Sequence, residues 1–430
     1  MALAQRKADT LEARIAGLDL PRGDWSEMAR SEALTRLSTM GMPDRRDEYW
    51  RYTDPSSLTA ADPIAAAPFV TDDETMVFSE IDRLRLVFVD GVFDAEASDD
   101  PALAGVEISR LAEGGEIHWA RDLYGVLEAR GQDPVARPLA ALNTAFAQDG
   151  VLIRVTDKVT RPVSLIYLHN SDSSDAILHH CIRVESGAEL TLLENGPAAA
   201  RFNKVMEVDI ADGGRFHHIR AQGRDHERRA VTHIFARLQQ QSQFKSFTLT
   251  ANGHLTRNET VIELLGEAGI AHAAAAVVGD GNFHHDDTVF VTHAAEGCES
   301  RQVFKKVLKN GATGVFQGKI LVEQAAQKTD GYQISQSLLL DDDSQFLAKP
   351  ELEIYADDVK CSHGSTSGAI DETALFYLRS RGVPEREAQS LLVLAFLSEA
   401  LDEIENDDIA ESLRVRLENW LARHESPDRG

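Results

Sequence analysis

The sequence predicts a mainly β protein, with a β-helix core flanked by N-terminal and C-terminal α-helical regions. Three observations carry that prediction. From Gly150 to about His363 no stretch reads convincingly as helix, and short strands recur there with Gly, Asn and Asp between them (VMEVDI, RFHHIRA, VTHIFARL, SFTLTA, TVIELL, TVFVTH, QVFKKVLK, GVFQGKILV, YQISQSLLL, LEIYA). So many strands exceed what one sandwich or barrel usually needs, whereas a solenoid stacks them coil upon coil and buries a continuous interior stripe. At both ends of the chain the apolar period returns to that of a helix. The repeat has no clean fixed length, so the prediction rests on strand number.

In chain order, residues 1–80 read as an N-terminal helical region, with Leu11, Ile15 and Leu18 in one stretch and Ala33, Leu34 and Leu37 in another. The core spans 81–365. It opens with LRLVFVDGVF, where Asp90-Gly91 between two apolar β-branched runs is a hairpin signal. A helical interlude follows near 115–148 (WARDLYGVLEAR, PLAALNTAFAQDG), and then VLIRV, SLIYL, ILHHCIRV and ELTLLE read as consecutive strands. Residues 366–430 form a C-terminal helical domain, in which Asp371 caps DETALFYLRSRG, Gly382 closes it and Pro384 starts the next helix, PEREAQSLLVLAFLSEALDEI. ESLRVRLENWLARH supplies a third. The middle helix is apolar nearly all round from Leu391 to Leu397, so it packs on several sides, either against its two neighbours or against a partner. Leu391, Leu392, Leu394, Phe396 and Leu397 are the candidate partner-binding residues.

Composition narrows the function. With 44 Lys+Arg against 70 Asp+Glu the formal charge is -26, which repels phosphate backbones and anionic lipid, so neither nucleic acid nor a membrane is an expected partner. The start of the chain has no continuous apolar run of the kind a secretion signal needs, and Leu391–Leu397 is far too short to span a bilayer. Three cysteines, Cys181, Cys298 and Cys361, lie far apart without CxxC spacing, so no disulfide framework or structural zinc site is encoded, and a reducing cytoplasm is the expected location.

Two apparent nucleotide motifs fail. GVFQGKI (Gly314–Ile320) has Ile320 where a magnesium-binding Ser or Thr should stand, and in the run from Gly279 to His284 the histidine replaces the last glycine of a dinucleotide fingerprint. Two histidine clusters, His179-His180-Cys181 and His284-His285-Asp286-Asp287 with His293, split between strand faces. Each therefore offers at most two ligands on one side, and metal binding there needs a third from an adjacent coil. In ADDVKCSHG an extended backbone puts Asp357, Val359, Cys361 and His363 on one face, with Asp358, Lys360 and Ser362 on the other. Thiolate and imidazole side by side suit zinc, copper or an iron–sulfur cluster, but one chain supplies too few ligands here, so a cluster would be shared or transient. A lone cysteine is more often a small buried hydrophobe.

The stretch from GVFQGKILVEQ through ADDVKCSHGSTSGAIDETALFYLRSRG to SEAL resembles the SufB/SufD family of the SUF iron–sulfur cluster assembly machinery, in its SufD form. PLAALNTAFAQDGVLIRV, TVFVTHAAEGCESRQVFKKVL and DEYWRYTD are similar to the same family. The resemblance implies a right-handed parallel β-helix with helical domains at both ends, in a complex with a SufB-like subunit and a SufC-like ABC-type ATPase. It implies that the C-terminal helices dock the ATPase. It also implies that Cys361 and His363 stand at the SufB interface, where a nascent cluster assembles. The DEYWRYTD element reads either as a packing anchor or as a contact for a sulfur or iron donor.

The expected function is thus a non-enzymatic scaffold for cluster assembly, assisting iron acquisition, with no tightly bound cofactor and only a transient iron–sulfur cluster or iron shared with SufB. For the isolated chain, monomer and homodimer both stay open. The alternatives are a carbohydrate-active β-helix enzyme and a purely structural binding module with Cys361 inert.

Overall fold

A computed structural model describes residues 2–21, 25–68, 76–113, 118–196, 199–223 and 227–424. Of the expected regions, residues 1, 22–24, 69–75, 114–117, 197–198, 224–226 and 425–430 lie outside those described. The N-terminal elements are α1 (Ala2–Ile15), α2 (Glu27–Met40) and the single turn α3 (Ser56–Thr59). The hairpin of β1 (Leu84–Val89) and β2 (Val92–Asp94) turns at Asp90 and Gly91, whose φ values of 49° and 85° are the left-handed pair that a two-residue hairpin needs. Next comes β3 (Glu107–Arg110), a short strand that sequence periodicity does not single out. The helical interlude is α4 (His118–Arg121), α5 (Val126–Arg130) and α6 (Pro138–Phe146).

The strands then alternate between two sheets. To the nine-stranded sheet belong β4 (Val151–Val155), β6 (Asp175–Val184), β8 (Arg201–Ile210), β10 (Arg229–Leu238), β12 (Leu255–Leu264), β14 (His284–His293), β16 (Thr313–Val322) and β18 (Gln345–Ile354), with β3 antiparallel at one edge. To the ten-stranded sheet belong β5 (Val163–Leu168), β7 (Glu189–Asn195), β9 (Arg215–Gln222), β11 (Gln243–Ala251), β13 (Ile270–Asp280), β15 (Glu299–Lys309), β17 (Asp330–Leu339) and β19 (Lys360–Gly368), together with β1 and β2. Every pairing from β4 to β19 is parallel and joins a strand to the one two places later, which makes the core a parallel β-solenoid.

Coil length drifts along the solenoid. Leu255 lies beside Arg229, 26 residues earlier, whereas Gln345 lies beside Thr313, 32 residues earlier, so no fixed period is visible in the sequence. One corner nevertheless repeats in six successive coils. Gly187, Gly213, Gln241, Ala268, Gly297 and Lys328 all have φ between 53° and 72°, and each donates its backbone N–H to a carbonyl of the next coil's corner. At the three non-glycine positions the left-handed backbone costs roughly 1–2 kcal/mol, offset by that hydrogen bond.

Apolar side chains fill much of the interior, from Leu86 and Ile153 through Phe216 and Phe244 to Phe316. Both outer faces are covered as well. Helices of the N-terminal part and the interlude pack Leu37, Trp50, Leu142 and Phe146 onto Val205, Val231 and Phe235 of the nine-stranded sheet. The C-terminal helices α7 (Glu372–Ser380), α8 (Glu385–Leu401) and α9 (Asp407–His424) bring Val393, Leu397, Leu413 and Trp420 onto Ile219, Phe247 and Leu249 of the ten-stranded sheet. Burial on both faces is why these strands read as nearly continuous apolar runs. Among the described residues no helix is long and apolar enough to cross a membrane.

Candidate functional site

The two ends of the solenoid differ. At the N-terminal end the sheets finish in antiparallel strands of three and four residues, β2 and β3, and short edges of this kind resist further pairing. At the C-terminal end they finish in β18 and β19, ten and nine residues long, each hydrogen-bonded along one side only. A long edge strand presents a row of unpaired N–H and C=O groups and is a template for another chain.

Cys361 and His363 sit on that edge strand. Gly331 of β17 stands beside Cys361, and Gln333 beside His363. Because β19 begins at Lys360, period-two alternation holds for Cys361 and His363 but not for Asp357 and Asp358, which lie in the bend before it. Val359 packs on the same apolar cluster as Cys361, so the expected face holds over Val359, Cys361 and His363 and ends before Asp357. The Cys361 thiol is half-buried against Ile320, Val322 and Ala326, and burial pushes it up from the ordinary value of 9, with Asp330 adding to the effect against a backbone hydrogen bond from Gly331. His363 is exposed.

His363, beside Gln333, continues a polar file that runs inside the solenoid. Glu194 accepts from Lys204 Nζ (2.6 Å), Tyr167 Oη (2.6 Å) and the His218 ring (2.7 Å), all wholly or nearly buried. Burial works to raise the Glu194 carboxyl, yet Lys204, His218 and Arg220 hold it well below its usual range. Burial lowers Lys204 to about 8. Further along, Arg220 donates to Thr232 (2.8 Å), Lys306 pairs with Asp287 (2.7 Å), Gln333 donates to Gln302 (2.8 Å), and Ser335 and Ser337 donate to Ser365 (3.1 Å) and Ser367 (3.0 Å) of β19. The file ends at the open edge.

Both histidine clusters split between faces as alternation demands. His180 points inward to Tyr167 (3.1 Å), while His179 and Cys181 point outward beneath the interlude. His285 and Asp287 meet Lys306 inside, and Asp286 meets Arg257 and Thr53 outside. DEYWRYTD is a packing anchor. Tyr49 and Trp50 are buried, the Tyr49 carbonyl accepts from Arg257 (2.9 Å) and Gln317 (3.1 Å), Arg257 lies 4.2 Å over the Trp50 ring, and Thr53 donates to Asp286 (2.6 Å).

The five apolar residues named on α8 do not share one environment. Leu397 is wholly buried in its own chain against the ten-stranded sheet, Leu394 and Phe396 pack partly on the same cluster, and Leu392 is half-buried. Leu397 is therefore a core residue in this conformation and offers a partner nothing. Leu391 is 45% exposed, and on the adjoining α7 Phe376 is 73% and Tyr377 54% exposed.

A family model described as the SufBD core domain of the SUF FeS cluster assembly system matches residues 167–396, and one for the SufBD N-terminal region matches 22–165. The chain belongs to the SufB/SufD family. It is 27% identical over 395 residues to the iron–sulfur cluster assembly protein SufD of Escherichia coli K12, covering 89% of this chain and 90% of that one. It is 28% identical over 397 residues to an iron–sulfur cluster assembly SufBD family protein of Synechocystis, with 87% and 86% covered. Similarity extends to the chloroplastic protein ABCI7 of Arabidopsis thaliana, 26% identical over 415 residues, with 91% and 85% covered.

In this SufB/SufD-family chain the matched core domain includes β19 and most of α8, and the matched N-terminal region includes Trp50 and the interlude. Sequence reasoning missed the buried partners Glu194, Lys204, Glu207 and Lys306. Their one local signal is a charged residue inside an otherwise apolar strand, as in RFNKVMEVDI and RQVFKKVLK.

Proposed function

We propose that this chain is a non-enzymatic scaffold subunit of the SUF system, joined edge to edge through β18 and β19 to a SufB-like subunit and through its C-terminal helices to a SufC-like ATPase. The observation that carries the reading is the long edge strand β19, unpaired along its outer side, with Cys361 and His363 upon it. In that role the iron–sulfur cluster is cargo. Thiolate and imidazole from this edge would complete a ligand set with donors from the facing subunit, since one chain brings too few for a cluster. Cluster ligation displaces the thiol proton, so the high setting of Cys361 keeps that thiol uncharged until metal arrives. The exposed Phe376, Tyr377 and Leu391 suit the ATPase contact, because large apolar groups left on adjoining helices are typical of docking surfaces. A cytosolic location accords with three unpaired thiols.

The test is anaerobic co-purification of the chain with its SufB-like and SufC-like partners, with iron and sulfide measured on the same sample. A Cys361→Ala/His363→Ala variant should hold both partners and lose most of the cluster. A Phe376→Asp/Leu391→Asp variant should lose the ATPase and keep the SufB-like subunit. Cluster assembly at the wild-type rate in the first variant removes the proposed role of the pair. One observation favours a purely structural module, namely that burial keeps the Cys361 thiol protonated, and that same variant separates the two readings.

A further inference from the structure

Beneath the interlude three side chains converge that the scaffold role does not use. His179 and Cys181 share the outward face of β6, and the next coil sets Glu207 of β8 in register beside Cys181. The third ligand that the HHC motif lacks by itself thus arrives from the adjacent coil. His179 Nε2 lies 3.4 Å from Glu207 Oε2, Cys181 Sγ lies 3.9 Å from the same oxygen, and the three ligand atoms all fall within 4.8 Å of one another. A tetrahedral ion with ordinary bond lengths separates nitrogen from oxygen by about 3.3 Å and sulfur from oxygen or nitrogen by about 3.6 Å, so the two separations to Glu207 already nearly match and the nitrogen–sulfur pair, within 4.8 Å, closes to fit.

A further observation points to a cation. All three residues are wholly buried, and among the described residues no Lys or Arg side chain pairs with the Glu207 carboxylate. A buried carboxylate without a cationic partner is costly. Its oxygens each accept one backbone N–H, Oε2 from Gly125 and Oε1 from Glu128 at 2.7 Å, and Oε2 turns its remaining lone pair to His179 and Cys181.

We propose that His179, Cys181 and Glu207 form a buried site for a divalent cation of zinc or ferrous type, which ties the interlude to the solenoid. Imidazole, thiolate and carboxylate together are a donor set for such borderline ions. Binding forms the metal–sulfur bond and releases the Cys181 proton to solvent. The dication, the thiolate and the carboxylate then sum to zero charge, which suits the interior. Through its backbone contacts at Gly125 and Glu128, Glu207 carries the effect to the start of α5.

The test uses the full chain with Cys361→Ala and His363→Ala, so that the edge residues bind nothing. It is produced in zinc-supplemented cells for metal analysis, and separately stripped with a chelator, unfolded and refolded with Co²⁺ as probe. The expected result is one ion per chain, a cobalt–thiolate charge-transfer band, a raised Tm, and an apparent affinity that climbs about tenfold per pH unit because one proton is released. Adding Cys181→Ala, a change a small buried site accepts, should abolish the band and weaken binding at least about tenfold. No stoichiometric ion and no band in the Cys361→Ala/His363→Ala chain overturns the proposal whether or not the Cys181 variant folds. A band unchanged by Cys181→Ala overturns it equally.

Discussion

Replacing Arg257 by methionine tests what fastens the N-terminal segment to the solenoid. The guanidinium is buried, donates to Glu259 (2.8 Å), to Asp286 and to the Tyr49 carbonyl (2.9 Å), and covers the Trp50 ring. Methionine restores most of the volume and none of the charge. Glu259 keeps Arg137 at 2.9 Å, but Asp286, wholly buried, is left with the neutral donors Thr53, Thr288 and Gln317. Breaking one side of a buried pair costs about 3–5 kcal/mol. At roughly 2.1 cal/mol/K of unfolding entropy per residue, 430 residues unfolding together lose about 1 °C per kcal/mol, so Tm should fall by about 3–5 °C.

Hydrogen exchange is the sharper assay, because protection should drop first at Tyr49 to Thr53 and at β12 and β14. Arg257→Met/Asp286→Asn, which removes both charges, should recover much of the loss. The network also sets an acid limb. Burial would raise the Glu259 carboxyl, but Arg257, His233 and Arg137 bring it from 4.5 down to about 2. A group with a depressed folded pKa contributes stability that is complete above pH 4.5 and lost as pH falls towards 2, here about 3 kcal/mol, and the Arg257→Met chain should lose part of that limb. Unchanged exchange at Tyr49 to Thr53 in the single variant, or a double variant worse than the single, would refute this account of the anchor.

Two other outcomes are expected. Leu397→Ala should cost about 2–5 kcal/mol by opening a cavity against the ten-stranded sheet, while co-purification with the ATPase persists, and loss of the ATPase from a stably folded variant would make Leu397 a docking residue after all. Native chain treated with iodoacetamide should be labelled only at Cys361, slowly near pH 7 and faster as pH passes 9, since Cys181 and Cys298 are buried. Rapid labelling at pH 7 would contradict the raised thiol.

Local chemistry was legible where it acts over a few residues. Asp90-Gly91 forms the turn its residue types require, the Asp371 side chain accepts from the N–H groups of Thr373 (2.8 Å) and Ala374 (3.2 Å) and so caps α7, and HHC and HHDD divide between faces as alternation says. The repeat stayed hidden because the chain meets the left-handed corner with Gly, Gln, Ala or Lys, and because each coil takes up a different number of residues in its turns. Leu391 and Leu397 look alike on an apolar helix, and only the sheet beneath α8 makes one of them core.

The amino-acid sequence alone therefore determined the class of fold, the order of its parts and the strand faces of HHC and HHDD. Tertiary structure alone decided which coils lie side by side. That adjacency put Glu207 next to Cys181, Lys204 next to Glu194 and Arg257 next to Trp50, and it left β19 at an open end. The physical reason is that side-chain alternation is set by a strand's own backbone, whereas neighbours across coils are set by turn lengths and packing summed over the whole solenoid.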